Sequence, residues 1–282
     1  MDTKSKNRKY YKCLTWLLGF ILIASPVMLN AQCKAVNDAF VPGENVSYQL
    51  YFNWKFVWIK AGTARLTTID TTFVMIPAYR VDLLAATDKV FRMRDTVTTI
   101  VGKQLEPIYY RKGAEEGKHY SVDEAWFSHK DGISLVNQKR TRRDGSIIET
   151  SQSDSRCIHD MLSILLHARS YNPDHFEVGH KIQFPMATGR RVDEQTLIYR
   201  GKENVKAENG VIYRCLVFSL VEYEKDKKNK KNKEVEVITF FVTDDKNHLP
   251  VRLDMYLNIG SAKAFLRNVS GNRYPLTSIV EK

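Results

Sequence analysis

The feature that most restricts how this chain can fold is the alternation of apolar and polar residues at every second position. Residues 46–54 read Val-Ser-Tyr-Gln-Leu-Tyr-Phe-Asn-Trp, which places most of the apolar side chains on one face of an extended strand. The pattern predicts a protein built mainly from half-buried strands. Further strands are predicted at 62–69, 78–87, 96–101, 106–111, 120–128, 194–199, 211–223, 234–243, 249–257 and 262–269.

Three dipeptides that interrupt β-prone sequence predict tight hairpins. They are Asp131-Gly132, Asp144-Gly145 and Asn209-Gly210. Such pairs tolerate the positive φ angles of two-residue turns, whose twist matches that of antiparallel strands. We therefore expect antiparallel pairing nearly throughout the chain.

One segment near the middle of the chain has the spacing of a helix instead. Its apolar residues recur at positions i, i+3, i+4, i+7 and i+8, namely Ile158, Met161, Leu162, Leu165 and Leu166. The spacing predicts a helix over residues 157–168, capped by Asp154 or Ser155 and ended by Asn172-Pro173. The expected fold is all-β with a minor helical part. We predict one or two curved antiparallel sheets, or a half-barrel, with this helix on the concave face.

The first 31 residues have the composition of a secretory signal peptide. A cationic start precedes the apolar run Leu14–Ala24, and the small residue Ala31 precedes Gln32. Cleavage after Ala31 is favoured over a retained anchor, because the apolar run is shorter than the roughly 20 residues that span a bilayer. Lipid attachment at Cys33 is disfavoured, because Gln32 occupies the position where lipoproteins carry a small residue. We predict a periplasmic or outer-envelope protein with a single domain at 32–282.

The chain carries a net charge of +11 at pH 7, and its densest positive segment is Lys225–Lys233, which contains six lysines. Between two predicted strands, this run is most simply a solvated hairpin loop. The alternative is attraction to an anionic surface such as lipid head groups or acidic glycans. Nucleic acid is not an expected partner, because the run lacks arginine and stacking aromatic residues.

The cysteines and histidines do not predict a metal site. Cys33, Cys157 and Cys215 remain after the expected cleavage, an odd number for an oxidising compartment. The sequence does not determine their connectivity, and Cys157–Cys215 is the most plausible pair. His159 and His167 lie roughly on one face of the predicted helix, but no acidic third ligand has suitable spacing. No metal or other cofactor is therefore predicted.

The acidic residues of the sequence offer candidate catalytic groups. Asp244-Asp245 has the chemistry to chelate a cation or to act as an acid and base. Asp and Asn also stabilise turns by bonding their own backbone, however, and this pair precedes Lys246-Asn247-His248. Glu115, in the segment Glu115–His119, is similarly more typical of a polar turn. Since GxSxG, P-loop and GxGxxG motifs are missing, the sequence favours a non-enzymatic protein.

Aromatic residues are concentrated in the first half of the predicted domain. At strand spacing about half of them face the core, and the others can line a groove for an acyl chain or stack on sugar rings. We predict Trp54, Trp58, Tyr110 and Trp126 as ligand-binding residues.

Several short segments carry a family likeness. They are Phe40–Tyr48, Lys60–Ala64, Phe91–Asp95, His159–Ser163, Phe241–Arg252 and Asn258–Ala264. In this order they resemble an exported bacterial family known as domain of unknown function 3108, over about residues 40–271. The resemblance implies a periplasmic or envelope, mostly β protein of a Bacteroidetes type. The family has no established activity, so no catalytic residue is carried over.

Three functions are consistent with these patterns. The first is a non-enzymatic exported envelope protein that binds a lipid, a glycan or an envelope partner in a β groove. The second is an envelope glycan or lipid hydrolase that uses Asp244, Asp245 or Glu115. The third is an assembly or scaffold protein that docks through Lys225–Lys233. The export signal, the aromatic surplus and the missing catalytic motifs favour the first.

Overall fold

A computed structural model describes residues 33–54, 57–87, 92–117, 119–225, 232–257 and 260–281 of the chain. The strands in these residues are β1 (Asn45–Trp54), β2 (Val57–Phe73), β3 (Ile76–Thr87), β4 (Met93–Gly102), β5 (Pro107–Glu116), β6 (His119–Lys130), β7 (Ile133–Arg142), β8 (Ile147–Asp154), β9 (Lys181–Ala187), β10 (Val192–Lys206), β11 (Ile212–Lys225), β12 (Asn232–Thr243), β13 (Pro250–Tyr256), β14 (Ser261–Ser270) and β15 (Ile279–Glu281). The helix α1 (Met161–Arg169) and a 3-10 helix, Pro173–His175, lie between β8 and β9.

Fourteen of these strands form one antiparallel sheet in the order β8-β7-β6-β5-β4-β3-β2-β1-β14-β13-β12-β11-β10-β9. Strand β15 pairs with the beginning of β11. The sheet curls into a nearly closed barrel, so that β8 and β9 are its two end strands. The predicted all-β fold with a curved antiparallel sheet and one helix is confirmed.

The predicted hairpins are present. Asp131 and Gly132 join β6 to β7 with φ angles of 52° and 76°, as a two-residue turn requires. The other two dipeptides join β7 to β8 and β10 to β11, but in longer turns, in which only the glycine has a positive φ angle. The predicted two-residue form is therefore wrong at these two hairpins. The sequence did not predict β7, β8, β9 or β15. Strand β9 contains Pro185, and a proline is tolerated there because β9 is an end strand.

The helix begins at Met161 and not at residue 157. Its N-cap is Asp160, not Asp154 or Ser155. The Asp160 carboxylate accepts hydrogen bonds from two backbone N–H groups of the first turn at 2.9 Å. In return, the Ser163 hydroxyl accepts the Asp160 backbone N–H at 2.8 Å. This capping box fixes the start of the helix.

The segment that leads into α1 bridges the gap between β8 and β9. The His159 backbone N–H donates to the Pro185 carbonyl at 3.0 Å, and the His159 carbonyl accepts from the Ala187 N–H at 2.8 Å. Arg156 forms a bidentate salt bridge with Glu194 on β10, with both distances 2.8 Å. These bonds join the two end strands without a direct β8–β9 ladder.

The interior of the barrel is packed with side chains. The main apolar cluster takes buried residues from β1 to β7 and from β9 to β14, together with Ile158, Leu162 and Leu166 at the helix. Leu162 and Leu166 of α1 thus pack on the main cluster, whereas Ile164 and Ala168 pack against a smaller cluster of Phe184, Leu197 and Leu220.

A buried ion pair fixes α1 to both halves of the chain. The guanidinium of Arg169 donates to the two carboxylate oxygens of Glu44 at 2.6 and 2.8 Å, and both side chains are 1% exposed. Arg169 also donates to the carbonyl of Asn247 at 3.0 and 3.1 Å. The helix is thus tied to the residue before β1 and to the β12–β13 connection.

The disulfide joins Cys33 to Cys157, so the predicted Cys157–Cys215 pair is wrong. Cys157 lies in the extended segment before α1, where it meets the beginning of the described chain. Cys215 is fully buried on β11 and free, and burial raises the pKa of its thiol to about 12. Nothing in the spacing of the three cysteines shows which two elements come together.

The turns fall at two ends of the barrel, because successive strands run in opposite directions. We call one the Cys33 end: the described chain begins there, and it carries the turns at 74–75, 103–106 and 131–132. We call the other the lysine end, because it carries the β11–β12 hairpin, in which Lys225 pairs with Asn232. Residues 226–231 of the lysine-rich run, and the predicted signal peptide 1–31, lie outside the described residues. No helix in the described ranges is long and apolar enough to cross a membrane.

Candidate functional site

The four aromatic residues predicted to bind a ligand do not converge on one place. Trp54 ends β1, and its side chain lies outside the described part of the structure. Trp58 on β2 is 41% exposed, with the Lys263 ammonium 4.9 Å from its ring centroid. Tyr110 on β5 is buried in the core, whereas Trp126 on β6 is 38% exposed. The three side chains that are described thus occupy separate environments.

Tyr110 has the environment of a structural residue. It is 5% exposed and belongs to the main apolar cluster. Burial, followed by the nearby carboxylates of Asp160 and Asp123, raises the pKa of its hydroxyl well above the usual value. The phenol therefore stays neutral, and it does not line an open surface.

A groove of about 640 Å³ crosses five neighbouring strands, β14, β1, β2, β3 and β4. It was not predicted from the sequence. Its lining consists of Ser47, Tyr48, Thr63, Ala64, Arg65, Leu84, Ala85, Ala86, Arg94, Asp95, Thr96, Arg267 and Asn268.

The groove holds three exposed arginines, Arg65, Arg94 and Arg267. None of them forms a salt bridge with a carboxylate of the described residues, whereas eight other arginines do. Asp95, the acidic residue of the lining, lies 3.6 Å from the ammonium of Lys112. The three guanidinium groups are therefore available to an anion from outside the protein.

Strand pairing explains why the three arginines share one groove. Arg65 on β2 is opposite Leu84 on β3, and Arg94 on β4 is opposite Ala86 on β3. Arg267 on β14 is the extra residue at a β-bulge, where the partners of β1 shift from Asn268 to Leu266. A bulge redirects the side chain of its extra residue.

The lining combines three kinds of chemistry. Guanidinium groups bind phosphate or carboxylate with paired, charge-assisted hydrogen bonds. Leu84, which is 52% exposed, supplies an apolar surface together with Ala86. Hydroxyl groups stand beside them on Ser47 and Thr63. The groove can therefore hold a molecule that has both an acidic group and an apolar part.

The sequence contained part of the signal for this site. Thr63 and Arg65 flank buried Ala64 on β2, and Arg94 and Thr96 are likewise two residues apart on β4. Because side chains alternate along a strand, the period of two predicts that all four point outward. Hairpin order places β2, β3 and β4 side by side. Arg267 was beyond reach, because β14 pairs with β1 across most of the length of the chain.

The acidic residues considered for catalysis have structural partners or lie apart. Asp244 pairs with Arg214 at 2.8 Å, and Asp245 accepts the Ser278 hydroxyl at 2.7 Å. Both lie in the β12–β13 connection at the Cys33 end. Glu115 lies near the end of β5, at the lysine end. The two groups of acids therefore do not face one cleft, as a pair of glycosidase carboxylates must.

A cluster of histidines surrounds the disulfide. The rings of His159 and His167 are 5.0 Å apart, and Nδ1 of His129 lies 3.2 Å from the Cys33 sulfur. Ligand atoms of Cys33, His129 and Cys157 lie within 4.8 Å of one another, a distance that a metal ion can bridge. Both sulfurs are in the disulfide, however, so the thiolates that would bind zinc are not available. Burial lowers the pKa of His159 to about 3, which keeps its ring neutral.

Comparisons with known proteins support the fold and the family. No curated protein matches the chain significantly. The crystal structure of a β-barrel-like protein of domain of unknown function DUF1849 from Brucella abortus is similar, with a TM-score of 0.51 and 10% identity over 82% of this chain and 98% of that one. At this identity the likeness concerns the fold alone. The model of a family described as "Protein of unknown function (DUF3108)" matches residues 47–267, from β1 to β14. The chain therefore belongs to this family.

Proposed function

We propose that this protein is a non-enzymatic, exported envelope protein that binds an anionic amphiphile in the arginine groove. The observation that carries the proposal is the presence, on one groove of about 640 Å³, of three exposed arginines that form no salt bridge within the described part of the chain. An acidic head group would be held by Arg65, Arg94 and Arg267. Its apolar part would lie over Leu84 and Ala86.

The groove favours an acyl chain over a sugar. Sugar rings bind best on the flat face of an exposed aromatic ring. The one aromatic residue of the lining, Tyr48, is 4% exposed and points its hydroxyl at the Pro250 carbonyl, 3.1 Å away. An acidic glycan remains the alternative ligand, since it offers the same carboxylate or phosphate to the arginines.

Two observations support export. The first 31 residues have the order of a signal peptide, and a disulfide is expected to persist in an oxidising compartment. Because the Cys33 sulfur is bonded to Cys157, it is not free to carry a lipid through a thioether. The protein recovered from the periplasm should begin at Gln32. A mature chain that begins with a lipidated Cys33 would contradict the proposal.

The test is titration calorimetry with two soluble probes, dihexanoyl phosphatidylglycerol and a galacturonic acid trimer. Arg65→Gln, Arg94→Gln and Arg267→Gln are each compared with Arg190→Gln, which removes one charge from an exposed arginine of the β9–β10 turn. A charged hydrogen bond contributes about 1.5–3 kcal/mol, so each groove variant should bind the lipid about tenfold more weakly or worse. Arg190→Gln should bind as the wild type does.

The outcomes separate the remaining alternatives. Binding of the uronic acid trimer alone would replace the lipid by a glycan as the ligand. Binding of neither probe, or equal affinity in the groove variants and the wild type, would refute the groove. If deleting residues 226–231 abolished membrane association while leaving thermal stability unchanged, the assembly function through the lysine-rich hairpin would be favoured instead.

A further inference from the structure

The turn between β2 and β3 exposes apolar side chains in an unfavourable backbone conformation. Val74 and Met75 form this turn with φ angles of 47° and 65°. Their side chains are 79% and 89% exposed, and Ile76 beside them is 47% exposed. We call the segment Phe73–Ile76 the β2–β3 tip.

Neither burial nor turn geometry explains these residues. Two positive φ angles in a row favour Asn-Gly or Asp-Gly, and for a β-branched residue such as Val74 they are a strained exception. The β6–β7 turn, at the same end of the barrel, meets the same demand with Asp131-Gly132. Strained backbone persists mostly where function requires it. The apolar character of the tip therefore calls for a partner outside the fold.

Aromatic rings and a lysine surround the base of the tip. Phe73 stacks on Tyr109 with centroids 5.5 Å apart, and Tyr109 contacts Trp126 at 5.6 Å. Lys103, in the β4–β5 turn, is ion-paired with Asp70 of β2. The tip therefore has the order of side chains that suits a bilayer interface. Its apolar apex suits the acyl region, and the partly exposed Tyr and Trp rings and the lysine behind it suit the head-group region.

The chain enters the fold beside this tip. The backbone N–H of Ala35 donates to the carbonyl of Gln104 at 2.7 Å, next to Lys103. The described chain therefore begins at the end of the barrel that carries the tip.

We propose that the β2–β3 tip inserts into a lipid bilayer and holds the barrel with its Cys33 end against the membrane. The few side chains of the tip offer much less contact surface than the roughly 800 Å² that each partner buries in a standard protein interface. A bilayer accepts an apolar tip without a complementary shape. The lysine end then faces away from the membrane.

The test replaces the tip by the residues that its backbone favours. In Val74→Asn/Met75→Gly the turn gains an Asn-Gly pair, so the fold is retained and the midpoint of thermal unfolding should rise. Co-sedimentation is measured with vesicles of phosphatidylcholine and with vesicles of phosphatidylethanolamine and phosphatidylglycerol. Withdrawing the two apolar side chains from the bilayer should lower partitioning about tenfold or more on both. Val57→Asn, on an exposed valine at the opposite end of β2, is the matched control and should bind as the wild type does.

A second variant keeps the tip apolar and reports its depth. The fluorescence of Met75→Trp should shift to shorter wavelength on vesicles and be quenched by lipids brominated in the acyl chain. Unchanged partitioning of Val74→Asn/Met75→Gly, or no quenching of Met75→Trp, would overturn the proposal. Loss of binding only on anionic vesicles after deletion of residues 226–231, with the tip variant unaffected, would also overturn it. Val74→Asn/Met75→Gly should keep the affinity for dihexanoyl phosphatidylglycerol in titration calorimetry, because Val74 and Met75 do not line the arginine groove, so the two proposals fail separately.

Discussion

In β7 every second side chain reaches solvent, whereas in β11 consecutive side chains are buried. Strand β7 buries Ser134, Val136 and Gln138 and exposes the residues between them. Strand β11 places one set of residues, Tyr213, Cys215 and Val217, in the main cluster and the alternate set, Leu216 and Leu220, in two smaller clusters. The smaller clusters are completed by Ile164, Ala168 and Phe176 from the connection between β8 and β9. One half of the barrel is thus covered by its own chain, and the other half leaves a free outer face.

The difference is consistent with the positions of the two proposed binding surfaces. The arginine groove and the β2–β3 tip both lie on β1 to β4 and β14, outside the doubly covered strands. The connection that contains α1 packs on strands β9 to β12, and the buried ion pair between Arg169 and Glu44 holds it there. The following experiments test whether this division is energetic as well as geometric.

The largest effect is expected from breaking the ion pair that holds α1. In Glu44→Gln the buried guanidinium of Arg169 loses its counter-charge, so the free energy of unfolding should fall by about 3–5 kcal/mol in urea denaturation. Lys60→Gln, which removes the 54% exposed partner of Glu208, should cost less than about 1 kcal/mol. Equal costs for the two variants would show that α1 does not depend on this pair.

The second experiment compares one leucine from each half. Leu216→Ala empties a position that is 1% exposed and should cost about 2–5 kcal/mol. Leu135→Ala removes a side chain that is 36% exposed from the free outer face of β7, and it should cost well under the Leu216 value. Similar losses in urea denaturation would contradict the division between the halves.

The third experiment removes the disulfide that joins the beginning of the described chain to the α1 connection. Cys33→Ser/Cys157→Ser should lower the free energy of unfolding by about 2–4 kcal/mol, because the bond closes a loop of 124 residues in the unfolded chain. A dithiol reductant should destabilise the wild type by a similar amount and leave the variant unchanged. A response of the variant to the reductant would point to another disulfide.

The smallest effect depends on pH. In the folded protein the pKa of His159 is about 3, below the usual 6.5. Burial disfavours the charged form of the ring, and the neighbouring His167 lowers the pKa further. Below about pH 6.5 this histidine is protonated in the unfolded chain but stays neutral in the folded protein. The free energy of unfolding therefore decreases as the pH falls below about 6.5. Between pH 7 and pH 5 the loss should be about 2 kcal/mol. Comparison with His159→Asn isolates it, and an unchanged pH dependence in that variant would assign the effect to other groups.

Much of the fold was predictable because its strands and hairpins are local. The alternation in 46–54 and the Asp131-Gly132 turn each depend on neighbouring residues, and the structure confirms both. The start of α1 was placed too early, since apolar Ile158 continues the helical spacing while Asp160 caps the helix two residues later. Apolar spacing alone extends the predicted helix to earlier residues, but the hydrogen bonds of the Asp160 side chain set the residue at which the helix begins.

The candidate sites were less predictable, because they depend on contacts between distant parts of the chain. Arg267 reaches the groove through the pairing of β14 with β1, and Cys33 meets Cys157 across 124 residues. The β2–β3 tip escaped prediction for another reason. Turn rules look for Gly or Asn, and Val74-Met75 contains neither.

The pairing of β1 with β14 has a consequence for how the chain folds. The hairpins from β1 to β8 can form in sequence order, but the free edge of β1 stays open until β14, more than 200 residues later, arrives. Contacts so distant in sequence slow folding, and an unpaired strand edge invites association with other chains. Because the chain is synthesised from its N-terminus, we expect a partly folded state in which β1 is formed but its edge is not yet paired with β14. A chaperone that shields strand edges would protect this intermediate until the last strands complete the barrel.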